Sequence, residues 1–394
     1  MIAPPLACKI RASMTTVPIF VLIDALGWEF LKGKPFLDDL CSTRVGVHSL
    51  LGFSSACLPS IYTGLSPVDH GRWGMWRFGD GTTPFRATRW LHWLPELRFK
   101  GKNVTRYLLQ RYYNRRPEIT DYFCLYQIPI KRLHHFDLAG HRDIYQPGGF
   151  PGQQSIFDLL ARHPGGAYVA DWRTPMAEAF ATAAGRLRAK EVTAVFLYFA
   201  DMDAVLHKYG PNDPAPEVME TLGRLERGIE DLVAAVEEAG NRASLHVFSD
   251  HGMTEVTATY DILADLARLP LREGRDYRGF YDSTMARFKL FNEAARRAIG
   301  GLLANSAHGR IVPDAELERL GVLFADHRYG DLVFITHGGT VLNPSYMSDR
   351  APKGMHGYHP DDPGATGVYL STDPPPDGLD NIRGLFNVMK GALG

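Results

Sequence analysis

The chain has 394 residues, with 43 Lys and Arg against 44 Asp and Glu, 15 His and 4 Cys, and 45% of it is hydrophobic. This is the length of one large domain or two modest ones, and the composition of a globular chain with a substantial core rather than of a disordered segment or a coiled coil. A formal charge of −1 argues against coating nucleic acid by bulk electrostatics, so no stable nucleic-acid partner is expected.

At the N-terminus, Pro5-Leu6-Ala7-Cys8 faintly resembles a lipoprotein cleavage site but lacks a basic leader and an adequate apolar stretch. Met14 is an equally good start, which would make residues 1–13 a dispensable tail. The cysteines, Cys8, Cys41, Cys57 and Cys124, form no C-x-x-C pair. Neither a disulfide framework nor a thiolate zinc site is suggested, and the expected setting is reduced and cytoplasmic. No apolar run reaches the roughly 20 residues that span a bilayer, since the best stretch, Val17 to Phe30, is broken by Asp24 and Glu29.

Val17 to Ile23 is a short, continuous apolar run ending at Asp24, the pattern of a strand buried on both faces. Next comes Gly52-Phe-Ser-Ser-Ala-Cys-Leu-Pro59, in which Ser54 or Ser55 enters a short helix. Residues 72–150 are rich in aromatic and basic side chains, among them Trp73, Trp76, Trp90, Trp93, Tyr112 and Tyr113 with Arg86, Arg89, Arg98, Lys100, Lys102, Arg106, Arg111, Arg115 and Arg116. They read as an insertion whose positive skew either serves its own packing and surface or draws an anionic substrate inward. Val192 to Ala200 and Ser244 to Phe248 are further buried-strand runs, ending before Asp201 and Asp203 and before Asp250-His251. Between them, from Pro214 to Gly240, Val218, Leu222, Leu225, Ile229, Leu232 and Val236 recur at spacings of three and four, an amphipathic helix closed by glycine. Strand, helix, strand predicts a right-handed parallel crossover, and in such α/β sheets functional residues collect at the carboxyl ends of the strands. Residues 256–345 mix helical patterns (Ile262 to Leu269, Phe291 to Leu303) with strand-like pieces (Ser283 to Leu290, Asp331 to Thr336) and read as a smaller α+β subdomain. The expected organisation is a catalytic core over 15–255, with the insertion near 72–150, that subdomain, and a return to the core over 346–394.

Asp203 and His207, four apart at the start of a helix, share one face and can hold one metal. Asp250-His251 adds a carboxylate and an imidazole at a strand end, with Gly252 permitting a tight turn beyond; Asp24 and His356 complete three aspartates and three histidines. Without a thiolate this donor set suits two divalent cations, zinc foremost and manganese as the alternative. A paired centre points to phosphoryl chemistry, and a serine at a helix N-terminus, where N–H groups and the dipole favour phosphate, is the natural nucleophile.

Asp24 after its strand, Thr63-Gly64-x-x-Pro67-x-x-His70-Gly71, Tyr198-x-x-x-x-Asp203-x-x-x-His207-x-x-Gly210-Pro211, Ser249-Asp-His-Gly-Met253 and His356-Gly-Tyr358 occur in the order seen in type I phosphodiesterase/nucleotide pyrophosphatases of the alkaline phosphatase superfamily. The resemblance spans about residues 17–360, and its strength lies in the ordered set. It implies a three-layer α/β sandwich around a mostly parallel sheet, with one metal on Asp203, His207 and His356 and the other on Asp24, Asp250, His251 and the nucleophile oxygen. Counting back nine residues from Thr63 implies Ser54 as the nucleophile that attacks phosphorus in line, with Ser55 as the next backbone donor for the oxyanion. The implied activity is hydrolysis of a small anionic phosphate ester, a diester or a nucleotide-type phosphoanhydride. A phosphomonoesterase or phosphonate hydrolase on the same centre is the alternative, and a metal-bound binding protein without catalysis the third reading.

Two positions depart from the family pattern: Ala56 stands where a proline is usual, with Pro59 displaced, and Met75 stands where an asparagine commonly holds a phosphate oxygen. Cys57-Leu-Pro-Ser60 imitates a sulfatase signature, but Ile61 replaces the required arginine and the cysteine lies six rather than nine residues before Thr63. Cys57 is expected to be a buried small hydrophobe. His134, His135, His141 and His337 are expected on the surface or in supporting positions; so is His359, although it is near enough in sequence to compete with His356.

Overall fold

The computed structural model describes residues 14–91, 98–99, 102–212 and 215–394. Residues 1–13, including Cys8, together with Trp93, Lys100 and Pro214, lie outside the described residues.

The first apolar run forms β1 (Thr16–Ile23). Ile19, Val21 and Ile23 pack on one side of the sheet, Phe20 and Leu22 on the other, and none is exposed. A strand covered on both faces has no polar side to alternate with, hence the unbroken run. Around it stand β2 (Thr43–Val47), β3 (Ala167–Ala170), β4 (Ala194–Phe199), β5 (Arg242–Phe248) and β10 (Gly367–Ser371), in the order β2-β10-β5-β1-β4-β3. Only β10 opposes its neighbours; the remaining pairings are parallel, as expected of this fold.

Helices cover both faces. Ala179, Phe180 and Ala183 of α3 (Met176–Arg188), with Leu222, Leu225 and Ile229 of α5 (Pro216–Glu238), pack on the side of Ile19 and Val21. Cys57, Leu58 and Ile61 of α1 (Ser54–Thr63), with Leu385 and Met389 of α7 (Gly384–Leu393), pack on the side of Phe20 and Leu22. Truncating one such residue, Leu225 for example, should cost about 2–5 kcal/mol, because the lost burial is compounded by a cavity. α5 starts with Pro216 at its first turn and stops at Gly240, whose φ of +78° suits a residue without Cβ. β4 and β5 are parallel, as the crossover predicts, with β1 lying between them. The three strands that end in acidic residues therefore lie side by side.

Residues 277–336 build a second sheet, wholly antiparallel, from β6 (Tyr277–Tyr281), β7 (Met285–Leu290), β8 (Gly309–Val312) and β9 (Leu332–Thr336) in the order β6-β7-β9-β8. Ala295, Ile299 and Leu303 of α6 (Glu293–Ala304) pack on Phe280, Phe288 and Phe334, and the same core takes in Trp76, Phe85, Tyr113 and Phe123 from the aromatic segment. Much of that segment's aromatic content is thus core. Its helix α2 (Val104–Tyr113) is capped by the Asn103 side chain, which accepts the Arg106 N–H. Among the described residues no helix is long and apolar enough to cross a membrane.

Candidate metal centre

Parallel strands in register bring their carboxyl ends into one row. Ile23 pairs with Phe199 and Leu22 with Phe248, and the Asp24 N–H donates to the Phe199 carbonyl at 2.9 Å. Asp24, the first turn of α4 (Asp201–Tyr209) and Asp250-His251 consequently converge at one rim of the sheet. Ala25 takes up left-handed backbone at φ +61°, a strained choice for a residue with a Cβ, and its N–H donates to Asp250 Oδ1 at 3.3 Å. Gly252 serves differently from the turn expected of it. A Cβ there would lie 2.3 Å from the Gly364 carbonyl oxygen and 2.9 Å from Gly27 Cα, so what it permits is close backbone approach.

The side chains form two groups, Asp203, His207 and His356 in one and Asp24, Asp250 and His251 in the other, each with ligand atoms within 4.8 Å of one another. In the first, Asp203 Oδ1 lies 3.1 Å from His207 Nε2 and 3.4 Å from His356 Nε2, and the helical four-residue spacing places Asp203 and His207 as expected. In the second, His251 Nε2 lies 3.1 Å from Asp250 Oδ2 and 3.5 Å from Asp24 Oδ1. The groups adjoin: the His251 and His356 rings stack at 3.8 Å between centroids. Ser54 Oγ sits beside the second group, 3.0 Å from His251 Nε2 and 3.4 Å from Asp24 Oδ1. Ser54 begins α1, whose N-cap Phe53 supplies no side-chain cap, and Ser55 follows it on the same wall.

The donors suit cations. His207 Nδ1 pairs with the Gly354 carbonyl at 2.8 Å and His251 Nδ1 with the Gly252 carbonyl at 3.0 Å, so each ring keeps Nε2 for the centre. Asp203 Oδ1, Asp250 Oδ2 and His356 Nδ1 are buried without a hydrogen-bond partner, the state of ligand atoms rather than of structural polar groups. Burial, then the charges of Asp250 and Asp203, push the Asp24 carboxyl well above its ordinary range. Burial opposes a charged His251, yet Asp250 and Asp24 outweigh it and hold that ring at about 10. His356 is driven well down by burial and by the charges of His251 and His207. This much buried carboxylate asks for positive charge, and divalent cations meet the need better than protons shared among neighbours.

Tyr198 belongs to the centre although nothing in its motif assigns it a role: its hydroxyl donates to Asp24 Oδ2 at 2.5 Å. Its position at the end of a buried strand, five residues before Asp203, was the available signal. His70, part of the Thr63 to Gly71 motif, is a brace instead. Its Nε2 lies 2.9 Å from Ser60 Oγ, and burial holds it neutral, down to about 3. Cys57 is fully buried with its thiol pushed up to about 12 by burial, consistent with an inert hydrophobe. His359 is turned away from the centre, 2.9 Å from Glu316 Oε1. α1 runs unbroken through Pro59, and Ala56 packs within that helix beside Gly52 and Trp73, so the displaced proline does not unmake the turn.

A cavity of about 590 Å³ opens over Ser54, Ser55, Asp24, Asp203, His207 and His356. The rest of its lining includes Arg72, Met75, Asp121, Tyr122, Tyr126, Tyr145, Trp172 and Asp282 from irregular segments and Trp76 at the start of a short strand, which together make its wall. Arg72 pairs with Asp121, and its guanidinium occupies the space a Cβ on Gly140 would need. Tyr122 and Trp172 meet edge to face at 5.2 Å, and Asp282 is held by Arg287 at 2.9 Å. None of these wall residues has a spacing or motif that marks it, although Met75 stands out by replacing an amide.

Residues 19–359 match the model of the family "Type I phosphodiesterase / nucleotide pyrophosphatase". Among solved structures, the chain is similar in fold to murine ectonucleotide pyrophosphatase/phosphodiesterase 5, at 16% identity and a TM-score of 0.66 over 96% of this chain and 95% of that one. The human protein of the same name gives 16% identity and a TM-score of 0.65, covering 96% and 94%. An inactive variant of the murine protein in complex with AMP gives 17% and 0.64, covering 96% and 95%. No curated protein matches the chain in sequence.

Proposed function

The chain belongs to the type I phosphodiesterase/nucleotide pyrophosphatase family and is thus a phosphoric ester hydrolase; from that premise we propose that it cleaves a phosphodiester or a nucleotide-type phosphoanhydride, using Ser54 as nucleophile beside two divalent cations. The observation that carries the reading is that Ser54 Oγ stands 3.0 Å from His251 and 3.4 Å from Asp24 of one ligand group and lines one cavity with Asp24 and with Asp203, His207 and His356 of the other. Asp203, His207 and His356 would hold one cation and Asp24, Asp250 and His251 the other, with zinc first and manganese second for this nitrogen and oxygen donor set. Such ions, when bound, activate the nucleophile and stabilise the leaving oxygen.

The residues themselves do the remaining work. Ser54, whose Oγ faces Asp24 and His251, attacks phosphorus in line: the Oγ–P bond forms as the P–O bond to the leaving group breaks. The Oγ proton ends on the departing oxygen by way of solvent, and water then cleaves the phosphoserine ester and restores Ser54. The uncapped start of α1 turns its first N–H groups and dipole toward the phosphoryl oxygens, with the Ser55 N–H as oxyanion donor. Tyr198 orients Asp24 through its hydroxyl. The aromatic wall excludes water and offers flat apolar surface to a leaving group, which supports a diester or nucleotide over a small monoester. AMP is the ligand of one structural neighbour, and a nucleotide is accordingly the first substrate to assay. One observation favours the second reading, a phosphomonoesterase or phosphonate hydrolase: Met75 lines the cavity where the family commonly has an amide for a phosphate oxygen. Matched mono- and diester substrates separate the two; a higher kcat/KM on the monoester would displace the first. We also place the enzyme in a reducing, cytoplasmic setting, on the ground that Cys41, Cys57 and Cys124 are free thiols.

A further inference from the structure

Helix α2 turns Thr105, Leu109 and Tyr113 inward at a spacing of four, and Tyr113 packs on Phe85 and Phe123. Its opposite stripe carries Tyr107, Leu108, Arg111, Tyr112 and Arg115, all exposed; Leu108 keeps 59% of its surface in water. A water-facing stripe ordinarily mixes charges of both signs. Here residues 102–116 hold five cations and no acid, and residues 72–116 eleven cations against two acids, in a chain of net charge −1. Cations and rings form one surface: Arg111 donates to the Tyr107 hydroxyl at 3.0 Å, and Arg116, which also pairs with Glu118, lies over the Tyr112 ring.

We propose that this face docks α2 into the headgroup layer of an anionic lipid bilayer, as a peripheral contact without a span. Tyrosines suit the boundary between headgroups and acyl chains, arginines meet the lipid phosphates, and Leu108 enters the apolar edge. A nucleic-acid strand would use the rings and the charge but leave Leu108 without a partner. The helix itself is tied to the cavity wall. On the inner side of α2, Gln110 accepts the Leu125 N–H at 2.7 Å and donates to the Phe123 carbonyl at 3.0 Å, between Tyr122 and Tyr126 of that wall. The docking rests on this exposed stripe alone, whether or not Ser54 is the nucleophile.

The test is co-sedimentation of the full chain with vesicles of phosphatidylcholine alone and of phosphatidylcholine mixed with phosphatidylserine. Binding is expected only to the mixed vesicles and falls as salt rises. Arg111→Glu with Arg115→Glu weakens it by about 30-fold or more, since each arginine near the surface contributes about five-fold. Leu108→Ser weakens it too, while the melting temperature and turnover of a water-soluble bis-aryl phosphodiester stay unchanged, which separates docking from misfolding. The proposal is overturned by no binding to either vesicle, by equal binding to both that the variants leave intact, or by a single-stranded oligonucleotide that binds where vesicles do not.

Discussion

The floor and the wall of the cavity are made by opposite means. Asp24, Asp203, His207, Asp250 and His251 stand just beyond parallel strands whose register sets their positions, His356 joins them from the loop after Met355, and the ligand atoms lie within 4.8 Å of one another in each group. Tyr122, Tyr126, Trp172 and Asp282 reach the same space from turns and loops, and Trp76 from a second core shared with β6 to β9. A rigid floor suits atoms that must hold charge to within tenths of an ångström, whereas a wall of loops can change the leaving group it accepts without moving the chemistry.

If the floor carries the reaction, the largest effect should follow from its nucleophile: Ser54→Ala lowers kcat on a bis-aryl phosphodiester by about a thousand-fold or more while the fold is kept. Next comes the cation site. Asp203→Asn, which removes the charge between His207 and His356, should weaken metal affinity at least about 100-fold, and Tyr198→Phe, which frees Asp24 from its hydroxyl, about 10-fold, both read by metal titration. Activity lost on chelation should return with zinc.

The same site gives a pH dependence. Asp24 and His251 both bind their protons more tightly in the folded than in the unfolded chain, so the metal-free protein gains stability at low pH from them. For His251 that contribution is complete below its unfolded value near 6.5 and is lost as pH rises through about 10. The melting temperature of chelated protein should fall across that window, and the fall should be blunted by added cation; a melting temperature that climbs with pH would break the account. The wall should respond more mildly. Trp172→Ala should raise KM for an aromatic diester by about 2–10-fold with kcat nearly unchanged. Cys57→Ala should leave kcat where it was, since the thiol is buried and protonated.

This difference also explains what could be read from the residues. β1, β4, β5 and α5 announce themselves because apolar runs and three-to-four spacing are direct consequences of burial, and each ends or begins within two residues of its expected bound. That Asp24, Asp203 and Asp250-His251 would meet was legible for the same reason, since parallel strands deliver whatever follows them to one rim; His356 follows no strand of that sheet and was marked only by its place in the ordered motif set. That β1 would part β4 from β5 was not legible, because strand order depends on packing that no local pattern records. Nor was the wall, since Asp121, Tyr122 and Trp172 meet across turns far apart in the chain. Gly252 shows a subtler limit: the residues suggested a tight turn there, while the close backbone approach it permits involves the Gly364 carbonyl, more than a hundred residues away.

The central claim is that Ser54 takes the phosphoryl group. Acid quenching of the zinc-loaded protein during turnover of a bis-aryl phosphodiester, followed by peptide mass spectrometry, tests it most directly. The account predicts an aryl-phosphoryl adduct on Ser54 that is absent from Ser54→Ala; an adduct on Ser55, or full turnover by Ser54→Ala, would contradict it.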